Sequence, residues 1–229
     1  MILLHEGMNE DAEHVKTVIE DLFEIPVSLV DDNLDQLFTP IPQFQGYYYV
    51  PKTDLLSQRV GATITLILTP RDIYGGDKSK DDEWAFAANV GQFSVLATAR
   101  LMGPDSTPRS SLCVERDLYL RRLSLMTVHE LGHDLIKAPH HKNAAWVNIQ
   151  NGISMPLGPH CDDNSCAMYE VVDVITPPRG EGYLLLGDER LYDAGMDEHL
   201  ARLRADWFCS RCRNHIVISD AYRGTYPST

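Results

Sequence analysis

Residues Asp117 to Leu135 read DLYLRRLSLMTVHELGHDL. Leu118, Leu123, Met126, Leu131 and Leu135 stand in this stretch among an unbroken run of good helix formers, which predicts a long, largely buried helix over Asp117–Leu135. Within it lies His129-Glu130-Leu131-Gly132-His133, an HExxH pattern. Residues four apart lie one turn apart on the same helix face, so both imidazoles reach one metal ion while Glu130 addresses a metal-bound water. Zinc in such a site lowers the pKa of water toward about 7 and polarises a carbonyl, and a carboxylate takes the water's proton and passes it to the leaving amine. A catalytic zinc keeps one position open and needs a third protein ligand.

Upstream of this helix the chain reads as strands alternating with one helix, the pattern of a mixed sheet with helical cover. Ile2–Leu4 is a short strand. From Asn9, the expected N-cap, Val15, Val18, Ile19, Leu22 and Phe23 mark one face of a helix. The segments 26–30 and 62–68 are rich in β-branched residues, and the second is apolar enough for a central strand. Trp84–Ala88 and 93–98 are further strands around a turn at Asn89-Val90-Gly91. Trp84–Ala88 is also a candidate edge strand for pairing with an extended peptide.

Downstream, the prolines and glycines between Pro139 and Gly182 predict loops until a short helix near Asp197–Asp206. Five cysteines suit metal binding better than disulfides in a reducing compartment. Cys161 and Cys166 flank four residues and Cys209 and Cys212 flank two, two pairs that match a closed tetrahedral zinc site. Cys113 reads as a small core residue. His5, His14, His199 and His215 carry no partner pattern and are expected at the surface or in local hydrogen bonds, with His215 a reserve ligand for the cysteines.

The third ligand of the His site has several candidates. His140 and His141 are near in sequence, but a helix running on to Ala138 would carry His140 about 16 Å from His129, so they serve only if the helix stops early. Glu170 and Asp173 are others. His160 is the strongest. It lies in the run Leu157-Gly158-Pro159-His160-Cys161-Asp162-Asp163-Asn164-Ser165-Cys166-Ala167-Met168, which has the form HCx4CxM. With HExxH before it and Cys209-Ser210-Arg211-Cys212 after it, the order resembles the archaemetzincin family, whose signature is HExxHxxGxxHCx4CxM followed by CxxC.

That resemblance implies an α+β, metzincin-like zincin domain with a mixed twisted sheet, covering helices, an active-site zinc helix and a loop-rich C-terminal part. It implies two zinc ions, one catalytic on His129, His133 and His160 with Glu130 as general base, and one structural on Cys161, Cys166, Cys209 and Cys212. Met168 would supply the methionine turn beneath the metal. The sequence departs from the family pattern in having Ile136 in place of the Gly and Pro139 in place of the third His. His133 and His160 stand 27 positions apart, against six in the family, which amounts to an insertion of about 21 residues at 136–156. A long surface insertion costs little loop entropy, and this one is expected to fold over the cleft and restrict substrates.

The 229 residues, 44% hydrophobic and 23% charged, are ordinary globular composition. The expected organisation is a single metallopeptidase domain, with an N-terminal subdomain (1–138) that includes the zinc helix and a C-terminal one (139–229). A net charge of −13 disfavours nucleic acid, because phosphate binding needs clustered cations. No apolar run is long enough to cross a membrane, and Met1–Leu4 is too short for a secretory leader, so a cytoplasmic protein is expected. The expected activity is zinc-dependent hydrolysis of a peptide or polypeptide, with endopeptidase and aminopeptidase action both compatible. The alternative is a zinc-stabilised interaction module whose catalytic site has lapsed.

Overall fold

Every residue of Thr65–Thr69 is buried, a pattern that a strand tolerates only when both faces of its sheet are covered. In a computed structural model of the chain, the residues described are 1–40, 47–49, 65–74, 84–85, 87–90, 93–103, 113–143, 146–149, 153–156, 159–169, 184–185 and 196–218. The strands of the first half are β1 (Ile2–His5), β2 (Ser28–Asp31), β3 (Thr39–Pro40), β4 (Tyr47–Tyr49), β5 (Thr65–Thr69), β6 (Asp72–Tyr74), β7 (Trp84–Ala85), β8 (Ala87–Val90) and β9 (Phe93–Ala97). Five of them form the main sheet in the order β2-β1-β5-β9-β8. The first four run parallel, and β8 is an antiparallel edge in which Ala88 faces Val95 and Val90 faces Phe93. A smaller sheet has the order β3-β4-β6-β7.

Alternation along the strands sorts their side chains to two faces. Leu3, Leu66, Leu68 and Leu96 meet Val15, Ile19 and Phe23 of α1 (Asn9–Phe23) and Leu123, Val128, Leu131 and Leu135 of α2 (Arg116–Leu135) in one core. Leu4, Ile67 and Val95 point the other way, onto Leu34, Leu37, Phe38 and Ile73. Among the described residues the helices therefore cover one face, and a loop with the smaller sheet covers the other. Each of these fully buried apolar side chains contributes roughly 1.5–3 kcal/mol.

The two long helices are tied at their starts. Tyr119 Oη donates to Asp11 Oδ2 at 2.7 Å and Arg116 Nη2 to Asp11 Oδ1 at 2.6 Å; burial, then Asp11, holds the Tyr119 phenol well above its usual range. The N-cap of α1 is Met8 without a side-chain cap, so Asn9 is the first helical residue and not the expected cap.

Helix α2 stops at Leu135. Ile136 has extended backbone (φ −100, ψ 113), a conformation open to any L-residue, so no glycine is needed for the chain to leave the helix. The exit is pinned from the C-terminal part: Ile136 bridges Ile216, Lys137 N–H donates to His215 O at 3.0 Å, and Val217 N–H donates to Leu135 O at 2.7 Å.

The rest holds β10 (Lys142–Asn143), β11 (Trp146–Ile149), β12 (Ile153–Pro156), β13 (Pro159–His160), β14 (Leu184–Leu185), α3 (Met196–Arg202) and α4 (Ser210–Arg213). β11 and β12 form an antiparallel hairpin that β14 extends. β10 pairs with β13, setting Lys142 opposite His160. Among the described residues of the insertion, β11 and β12 thus pair with each other, and β10 ties its base to β13. α3 is shorter than expected because the chain leaves the helix after Arg202. Among the described residues no helix is long and apolar enough to cross a membrane.

The edge strand differs from expectation. Trp84–Ala88 is not one strand: β7 pairs with β6 of the smaller sheet, and the edge of the main sheet is Ala87–Val90. Cys113 is exposed, not a core residue; it lies before α2, outside the packed core. Glu170, Asp173 and Gly158 lie outside the described residues.

Candidate metal centres

His129 and His133 leave adjacent turns of α2, and His160 ends β13. The pairing of β10 with β13 returns His160 to the helix despite the intervening hairpin. His129 Nε2 stands 3.1 Å from His160 Nε2 and 3.2 Å from His133 Nε2. Nitrogens bonded to one tetrahedral zinc at about 2.0–2.1 Å would lie about 3.3–3.4 Å apart, so this donor set fits an ion of that kind. His129 Nδ1 donates to Ala167 O at 2.7 Å, which leaves the lone pair on Nε2 and aims the ring. Burial lowers the pKa of His129, and burial followed by His129 pushes His133 down to about 3. Neutral imidazoles are the form a metal requires.

Glu130 is buried on the same turn. Burial, then the charge of Asp134, pushes its carboxyl up to about 8. A cation among the three imidazoles opposes both effects and favours the carboxylate. Ser94 Oγ donates to Asp134 Oδ2 at 3.4 Å, linking β9 to the end of the helix.

The segment after His160 folds back under the helix. Cys161 N–H donates to Met168 O at 2.8 Å, Cys166 N–H to Asp163 O at 3.0 Å, and Tyr169 N–H to Cys166 O at 2.9 Å. Asp163 caps this turn by accepting from Ser165 N–H and Oγ. The turn is held from the C-terminal part, where Ala167 N–H donates to Trp207 O at 2.7 Å. Met168 is fully buried against Gly132.

The turn also brings Cys161 and Cys166 to Cys209 and Cys212, all four buried and with sulfurs within 4.8 Å of one another. Cys161 Sγ and Cys209 Sγ are 3.8 Å apart, the spacing expected for two sulfurs bonded at about 2.3 Å to one tetrahedral zinc. Backbone N–H groups point at the sulfurs: Cys209 N–H at Cys166 Sγ and Cys212 N–H at Cys209 Sγ, each at 3.4 Å. Hydrogen bonds from Cys161 and Cys212 pull Cys166 down to about 4, while Cys161 and Cys166 push Cys212 up.

His140 and His141, weighed from sequence as ligands of the catalytic site, lie elsewhere. The helix does end early, but their Nε2 atoms meet Cys161 and Cys212. His215 is half-buried, bonded through Nδ1 to Arg211 O, and does not join the cysteines. His199 and His5, expected at the surface or in local hydrogen bonds, are both buried. His199 Nδ1 donates to Asn164 O at 3.1 Å, its ring stacks on Tyr169 at 5.7 Å, and its Nε2 has no hydrogen-bond partner among the described residues. Nothing in the sequence around His199 signals its burial, because the turn that covers it comes from 35 residues away.

No protein-family model matches the sequence, and no curated protein matches it significantly. Solved structures do. The archaemetzincin of Archaeoglobus fulgidus, complexed with malonate, is 18% identical with a TM-score of 0.51, over 94% of this chain and 99% of that one. The archaemetzincin of Methanopyrus kandleri is 16% identical with a TM-score of 0.47, over 93% and 91%. A zinc-dependent peptidase of Methanocorpusculum labreanum is 16% identical with a TM-score of 0.48, over 93% and 98%. The Archaeoglobus likeness shows a shared archaemetzincin-like zincin fold across nearly the whole of both chains.

Proposed function

We propose that this chain is a zinc-dependent peptidase of the archaemetzincin kind, folded as a single domain. The observation that carries the reading is the convergence of three imidazole Nε2 atoms, at 3.1 and 3.2 Å, beside the buried Glu130. His129, His133 and His160 hold the catalytic ion, and Cys161, Cys166, Cys209 and Cys212 hold a structural one. Zinc at the His site supplies a Lewis acid that polarises a peptide carbonyl and acidifies water.

The chain's own groups do the rest. Glu130 takes the proton of the attacking water and delivers it to the leaving amine. Met168 packs against the helix turn that carries both histidines and holds it in place. The outer edge of β8 has no partner among the described strands and accepts an extended peptide or polypeptide by strand addition. The insertion at 136–156, with its paired strands β11 and β12, narrows the range of substrates. The protein works in the cytoplasm, with no nucleic-acid or membrane partner. Its fold likeness to an archaemetzincin supports the assignment, as does the core that runs from Leu3 and Leu66 into Met168, Phe208 and Cys212.

Glu130→Gln tests it. The variant should retain the wild-type zinc content and lose at least about 100-fold in cleavage of a peptide library, the scale on which general-base catalysis acts. Equal cleavage by the two proteins, or none by either, would sink the peptidase reading and leave a zinc-stabilised interaction module.

A further inference from the structure

The cysteine cluster offers more ligands than one tetrahedral ion can use. His141 Nε2 lies 3.0 Å from Cys212 Sγ, and His140 Nε2 lies 3.5 Å from both Cys161 Sγ and Cys212 Sγ. These four atoms form a set within 4.8 Å, as do the four sulfurs, and the two sets share Cys161 and Cys212. A nitrogen and a sulfur on one tetrahedral zinc lie about 3.5 Å apart, the value seen for both His140 contacts.

The placement follows from the chain path. Before the segment, Lys137 N–H is bonded to His215 O, three residues past Cys212. After it, Lys142 pairs with His160, the residue before Cys161. The turn between, closed by His141 N–H donating to Ala138 O at 3.0 Å, is therefore strung between the segment that follows Cys212 and the strand that precedes Cys161. Cys166 and Cys209 lie outside that set.

Taking the cysteines as the metal site proposed above, we propose that they form a two-ion cluster. Cys161 and Cys212 bridge two divalent ions; Cys166 and Cys209 complete one, and the Nε2 atoms of His140 and His141 complete the other. Two nitrogens and two sulfurs in a tetrahedral set suit zinc. One dication among four thiolates leaves two negative charges in a buried place, and a second dication neutralises them. The cluster fastens the base of the insertion to the C-terminal segment, so the chain carries three ions in all.

The test is zinc per chain in wild type, the double variant His140→Ala/His141→Ala, and His160→Ala, together with the 113Cd spectrum of the cadmium-loaded wild type. One ion fewer in the double variant than in wild type, with two thiolate-bound cadmium resonances coupled through shared sulfur in wild type, supports the cluster. Equal zinc in the two proteins, or a single thiolate-bound resonance, overturns it and makes the imidazoles hydrogen-bond donors to a one-ion site. If the double variant does not fold, the wild-type spectrum decides alone by the same criterion. His160→Ala reports separately on the catalytic site: retention of every ion there would defeat the peptidase reading and leave the cluster standing.

Discussion

A methyl group built on Gly132 would lie 2.1 Å from Met168 Sδ and 3.1 Å from its Cε. The absent side chain in the HExxH turn is thus the space that the methionine occupies beneath the histidines. Gly132→Ala gains up to about 1 kcal/mol of helix propensity, but Met168 is fully buried and cannot swing into solvent. Overpacking there should cost about 1–3 kcal/mol. Denaturant melts should show net destabilisation with weakened zinc retention at the His site; an alanine variant as stable as wild type would mean that Met168 repacks freely.

Arg122 is 1% exposed and ties three segments. It donates to both Asp197 oxygens at 2.7–2.8 Å and to the carbonyls of Leu101 and Gly103, each at 2.8 Å. Arg122→Met strands two buried acceptors and should destabilise by on the order of 3 kcal/mol. Asp197 is 38% exposed, so Asp197→Asn should cost less, since Arg122 keeps both carbonyls. Comparing the two urea midpoints checks the order, and the reverse order would refute this account.

His199 predicts an acid-sensitive component of stability. Burial, then His129, pushes its pKa down to about 4 from an ordinary value near 6.5. Between those values the unfolded chain binds the proton and the folded chain does not, so stability falls as pH drops from about 6.5 to about 4 and is fully present above. His199→Phe removes the titration. The difference in unfolding free energy between wild type and variant should change across that window, by up to about 3 kcal/mol, and stay constant above pH 7. A difference independent of pH would contradict the assignment.

Metal removal should act locally before it acts globally. Cys209 and Cys212 lie against Cys161 and Cys166 and so join residues 196–218 to the turn at 161–169, whereas the parallel strands β1, β5 and β9 are also held by their pairing and by the second core that Leu4, Ile67 and Val95 form on the opposite face. Chelation should raise amide exchange across 196–218 and around Trp207 while the strands stay protected. Simultaneous loss of protection everywhere would show instead that the metal sites hold the entire fold.

Much of this was legible in sequence because it depends on local geometry. A four-residue helical spacing puts His129 and His133 on one face whatever surrounds them, and the β-branched run at 62–68 marked the central strand. The spacing of the cysteine pairs singled out the four cysteines whose sulfurs the fold gathers within 4.8 Å of one another. The edge strand was misplaced by a few residues, since Trp84 and Ala87 belong to different sheets and only the pairing partners distinguish them.

What the sequence by itself determined, then, is the helix, its two histidines and Glu130, and the pairing of cysteines that gather into one cluster. Tertiary structure alone decided where the remaining histidines go. His160 comes back to the helix because Lys142 pairs opposite it and closes the insertion at its base. His140 and His141 leave the helix axis because Ile136 turns extended and bridges Ile216, which carries them to the sulfurs. Both outcomes rest on hydrogen bonds between segments far apart in the chain, and such pairings have no signature in residue spacing.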